Sequence, residues 1–100
     1  MDKDLRDRWC AALRSGEYQQ GVGYLRTGDA FCPLGVLADL IDPDEWRYES
    51  RAVRLWGGRC ADLPGYILST DIQDEISSLN DVGATFEEIA YKIEEIVPCD

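Results

Sequence analysis

Apolar positions recur at helical spacing in four stretches of the chain, and turn residues separate them. In Asp2–Ser15, Leu5, Trp9, Ala12 and Leu13 fall at i, i+4, i+7 and i+8, one inward stripe. Asp2 and Asp4 suit the positive end of that helix, and Gly16 suits its left-handed stop. A second helix opens at Phe31-Cys32-Pro33, with Pro33 in the first turn and Phe31 and Val36 placed as a hydrophobic staple. Leu34, Leu37, Ala38 and Ile41 form its buried face, and Asp42-Pro43 ends it. A third helix carries Ile72, Ile76 and Leu79, with Ser69, Thr70 or Asp71 as cap. After the turn Asn80–Gly83, Thr85-Phe86-Glu87-Glu88 reads as a capping box. It opens a fourth helix whose wide apolar face holds Phe86, Ile89, Ala90, Ile93, Ile96 and Val97, and Pro98 closes it.

The spaces between these helices are short. Val22–Arg26 and Ala30–Phe31 flank the turn Thr27-Gly28-Asp29 and predict a small hairpin. Trp46–Glu49 and Ala52–Trp56 read as short strands or loop. With 100 residues and no repeat, the expected fold is α+β: one compact domain over residues 1–100, about four helices and a small antiparallel hairpin or sheet.

Composition narrows the chemistry. There is no histidine, which removes histidine triads and histidine metal sites. Six of the first eight residues are charged, so no secretory signal is expected, and no apolar run approaches a membrane span. The four cysteines, Cys10, Cys32, Cys60 and Cys99, contain no C-x-x-C pair. A reduced, cytoplasmic setting follows as the expectation. Cys32 is the best nucleophile candidate, since a helix N-terminus lowers a thiol's pKa. Its neighbours are apolar and no base is at hand, so it reads as a small buried side chain. No metal or cofactor motif is present, and none is expected.

The net charge of −10 is unevenly placed. Residues 1–61 hold ten acids against nine bases, whereas residues 62–100 hold ten acids against one base, Lys92. On the fourth helix Glu87, Glu88, Glu94 and Glu95 cluster opposite the apolar face, around Tyr91. Glu94 and Glu95 stand near the negative end of the helix dipole, each unfavourable by about 0.3–1 kcal/mol. Lys92 offsets this through an i,i+4 pair with Glu88. An acidic stripe around an exposed aromatic suits docking on a basic partner. The candidate partner-binding set is Asp74, Glu75, Asp81, Glu87, Glu88, Tyr91, Glu94 and Glu95. Gly83–Ala90 also has the form of the first half of a helix-turn-helix, but no recognition helix follows and the exposed face has the wrong sign for phosphate.

Three motifs occur in order. They are Trp9-x3-Leu13-Arg14-Ser15-Gly16-x-Tyr18-x-Gln20-Gly21, then Phe31-Cys32-x-Leu34-Gly35-Val36-Leu37, and finally Leu79-Asn80-Asp81-x-Gly83-x-Thr85-Phe86-x2-Ile89-Ala90-x2-Ile93-Glu94. Together they resemble a family of small uncharacterised phage and prophage proteins, over residues 9–37 and 79–94. The resemblance implies no activity. In that family a second cysteine commonly follows the first, and Pro33 stands there in this chain. A phage setting implies a host-interaction role. The expectation is a non-enzymatic inhibitor, in the style of a DNA mimic or anti-CRISPR protein, acting in the host cytoplasm on a host protein with a basic, nucleic-acid-binding surface. Direct contact with nucleic acid or membrane is not expected, and a homodimer is allowed. The alternatives are a self-associating phage structural or assembly accessory protein and, last, a cysteine-dependent enzyme.

Overall fold

A computed structural model describes residues 1–44, 46–49, 52–54 and 59–99. Four helices form where the periodicity places them: α1 (Lys3–Arg14), α2 (Pro33–Ile41), α3 (Thr70–Asp81) and α4 (Phe86–Ile96). Asp2 caps α1 by accepting from the Leu5 N–H, and Gly16 follows its end at φ +78°. At α4 the capping box is complete: Thr85 accepts from the Glu88 N–H and Glu88 accepts from the Thr85 N–H. Ser69 stands at the N-cap of α3.

The helices pack in a closed cycle: α1 on α2, α2 on α3, α3 on α4, α4 on α1. Trp9, Leu34, Leu37, Ile76, Ile89 and Ile93 meet inside it, fully buried. Trp9 also donates its indole N–H to the Pro33 carbonyl at 2.8 Å, so its polar edge is satisfied in the core. The two chain ends meet as well. The N-terminal ammonium donates to the Pro98 carbonyl at 3.0 Å, and Arg6 Nη1 donates to the Val97 carbonyl at 3.4 Å. Both serve carbonyls at the negative end of α4.

Helix α2 departs from the stripe expected of it. Pro33 to Ala38 are buried without interruption, while Ile41 is only half-buried. Its N-terminal turn sits directly on the backbone of Leu25. A Cβ on Gly35 would lie 1.7 Å from the Leu25 carbonyl oxygen, so no side chain fits there. The same oxygen accepts from the Cys32 N–H at 3.1 Å. Helix and sheet are thus joined through main chain.

Five short strands complete the fold: β1 (Gln19–Gln20), β2 (Arg26–Thr27), β3 (Ala30–Phe31), β4 (Arg47–Glu49) and β5 (Ala52–Arg54), in the spatial order β1-β3-β2-β5-β4. The expected hairpin is β2–β3, paired Thr27↔Ala30 and Arg26↔Phe31. Gly28, at φ +58°, takes the first central turn position, where a two-residue hairpin loop favours glycine. The sheet is mixed, contrary to the wholly antiparallel element expected, because β1 runs parallel to β3. Val22–Gly23 precede the first hairpin arm, and Tyr24 makes an isolated bridge to Arg59. Both strands read in 46–56 form, as Arg47–Glu49 and Ala52–Arg54, whereas Arg51 and Leu55–Gly58 lie outside the described residues.

Candidate functional site: the acidic face of the last two helices

Amphipathicity decides which side chains α3 and α4 present. Helix α3 buries Gln73, Ile76 and Asn80, and α4 buries Phe86, Ile89, Ala90 and Ile93. All eight residues of the sequence-derived binding set are exposed, and Tyr91 keeps 63 % of its surface in solvent.

The structure divides that set. On α4, Glu94 points to α1, where Arg14 grips it with two bonds of 3.1 and 2.5 Å. The Arg14 guanidinium also lies 4.7 Å from the Tyr91 ring centroid, a cation–π contact. A hydrogen bond from Arg14, more than simple charge attraction, holds the Glu94 carboxyl below the usual carboxylate range. The dipole penalty expected at Glu94 is therefore offset by a cation 80 positions away in sequence. Lys92 does not pair with Glu88 as the spacing suggested. It lies 3.4 Å from Glu75 of α3 and 3.9 Å from Glu95, and so ties the two helices together. Glu88 is engaged in the capping box, and its bond from the Thr85 N–H lowers its pKa. Asp74 and Asp81, seven positions apart, share the outward side of α3.

Thus Glu75, Tyr91, Glu94 and Glu95 are brought together with Arg14 and Lys92. Asp74 and Asp81 stand on a neighbouring side, and Glu87 lies in the first turn of α4. Arg14 belongs to this surface and was not in the sequence-derived set. The signal for it was available, since Arg14 is the basic residue in the last turn of α1. Its partner, however, is set by the α1–α4 packing alone.

A second polar cluster was missed entirely. Tyr18 donates to Asp39 Oδ2 at 2.6 Å, and the Trp46 indole donates to Asp39 Oδ1 at 2.9 Å. Phe31 meets Tyr18 and Trp46 edge-on, and Arg26 lies over the rings of Phe31 and Trp46. Burial, helped by the bond to Asp39, pushes the Tyr18 hydroxyl up to about 12. This arrangement ties the sheet to α2.

Among the described residues no group of three or more His, Cys, Asp or Glu side chains could hold a metal ion, and no helix is long and apolar enough to cross a membrane. No curated protein and no solved structure matches the chain significantly. One family does. Its model covers residues 1–57, which hold α1, α2 and all five strands, and the acidic face of α3 and α4 falls beyond its end. With more than half of its length matched, the chain belongs to the family described as Domain of unknown function (DUF8296).

Proposed function

We propose that this is a non-enzymatic binding protein of phage type that occupies a basic, nucleic-acid-binding surface of a host protein. One observation carries the reading. The α3–α4 surface keeps eight carboxylates, Asp71 among them, and Tyr91 exposed on a stretch, residues 62–100, that contains a single basic residue. Arg14 and Lys92 neutralise part of that surface, and Asp74, Asp81 and Glu87 extend it. An aromatic ring held by a cation beneath it and rimmed by acids can anchor in a basic cleft at small entropic cost. The charge would steer the encounter, and nucleic acid would compete for the same partner. The phage assignment rests on the sequence motifs, and host cytoplasm is the setting that goes with it.

The test has two steps. The full chain is used to capture proteins from host lysate, and the captured complex is then challenged with DNA or RNA and with salt. Release by nucleic acid, with Tyr91→Ala dissociating faster, supports the reading. A complex indifferent to nucleic acid and to Tyr91→Ala overturns it. Self-association in the absence of any captured partner would favour the assembly-accessory role.

A further inference from the structure

Away from the acidic face, two thiols distant in sequence meet. Cys32 is the N-cap of α2 and is completely buried, and its Sγ accepts from the Gly35 N–H at 3.3 Å. Cys60 lies 28 positions on, in the loop that leads toward α3, and is half-buried. Its Sγ stands 2.7 Å from that of Cys32. Three backbone features hold Cys60 there: its N–H donates to the Gly23 carbonyl, Tyr24 bridges Arg59, and Ala61 adopts a left-handed φ of +71°. The contact is therefore fixed from both sides, by a helix N-terminus and by an anchored loop.

We propose that Cys32 and Cys60 are a redox-active dithiol that closes reversibly to a disulfide by exchange with a small disulfide such as oxidised glutathione. The two thiols are unequal, which orders the steps. Burial, reinforced by its bond to Cys60, raises the Cys32 thiol, so it keeps its proton. A bond from Cys32 lowers the Cys60 thiol, and Ser77 adds to the effect against burial and the charge of Asp81. Cys60, the more accessible sulfur, attacks. Its thiolate displaces one glutathione thiolate from the small disulfide and forms a mixed disulfide. Cys32 gives its proton to the departing thiolate and attacks Cys60 Sγ, which expels the second glutathione thiolate to be protonated by solvent. Two protein thiols are oxidised and one glutathione disulfide is reduced to two thiols. The bond would tie α2, inside the family-matched segment, to the loop beyond it. Cys10 is an unsuitable rival, because it is buried beneath the Ala90 carbonyl and burial pushes its thiol up to about 11.

The experiment equilibrates the reduced full-length protein with graded ratios of reduced to oxidised glutathione and maps the peptides by mass spectrometry. The expected product is one Cys32–Cys60 linked peptide pair, lighter by two hydrogens and restored by dithiothreitol, preceded by a transient glutathione adduct on Cys60. The ring so closed should raise Tm by roughly 10 °C or more. Cys60→Ser, at a half-buried position, should fold, lose both the bond and the Tm rise, and take up no glutathione at Cys32. The proposal is overturned by a lasting Cys60 adduct that Cys32 never resolves, by a linkage to another cysteine, or by free Cys32 and Cys60 at the most oxidising ratio.

Discussion

The segment matched by the family and the helix pair that follows it use polar side chains in opposite ways. In residues 1–57 aromatic and charged groups turn on one another: Asp39 takes two donors, and Arg26 lies against two rings. In α3 and α4 the acids point outward, and the internal polar groups are two amides. Gln73, fully buried, accepts from the Leu63 N–H and donates to the Leu63 and Leu68 carbonyls, so it holds the loop before α3. Asn80 donates to the Gly21 carbonyl and accepts from Gln20, which docks α3 on the sheet. A near-neutral, internally bonded scaffold thus carries an acidic pair through a few buried joints. If so, damage to the joints should unfold the chain, and damage to the face should not.

The largest effect is expected at the centre. Trp9→Ala removes a fully buried ring and leaves the Pro33 carbonyl without its donor, at a cost of roughly 3–5 kcal/mol, comparable to the whole stability of a small domain. Urea denaturation measures it, and a midpoint near that of wild type would remove Trp9 from the core. Gln73→Leu comes next. It strands a buried N–H and two buried carbonyls around residues 63–68, and each unsatisfied group costs about 1–3 kcal/mol. Hydrogen exchange in that loop should quicken before the helices respond. Unaltered protection there would mean the amide does not hold the loop.

How much of this could be read beforehand depends on the range of the interactions. The caps, the four helices and the β2–β3 hairpin are local, set within a few residues, and the sequence carries them openly. The parallel β1–β3 pair, the unbroken burial of Pro33–Ala38 in α2, and the pairing of Arg14 with Glu94 are contacts between distant segments, and no local rule encodes them. Cys32 was legible as a residue at a helix start, but its partner Cys60 was not, because 28 positions of chain separate them. Gln73 and Asn80 were silent for a further reason. A buried amide has the same one-letter signature as an exposed one, and only the backbone groups it meets reveal it.

A smaller effect belongs to the start of α4. Thr85→Ala breaks the capping box and should lower stability by about 0.5–2 kcal/mol, read from the same denaturation curve. It should leave partner binding unchanged if Glu88 serves the cap rather than the interface. A loss of binding with unchanged stability would return Glu88 to the docking face.

The smallest effect separates two adjacent glutamates that are alike in sequence. Glu94 is bonded to Arg14 of α1, whereas Glu95 is more exposed and only near Lys92. Because Arg14 holds the Glu94 carboxyl below its ordinary value of 4.5, the pair stabilises the fold above that pH. The contribution is lost as pH falls from there through the lower folded-state pKa. Both side chains are partly solvated, so the coupling in a double-mutant cycle with Arg14→Ala should be no more than about 1 kcal/mol. Glu94→Gln should therefore lower stability at neutral pH by no more than about 1 kcal/mol, converge on wild type below the folded-state pKa, and so flatten the acid side of the curve below about pH 4.5. Glu95→Lys should leave that curve as it is and instead slow association with a basic partner, most strongly at low salt. If Glu94→Gln and Glu95→Lys give the same acid limb, the Arg14 contact contributes nothing, and the scaffold and the acidic face are not separated on α4.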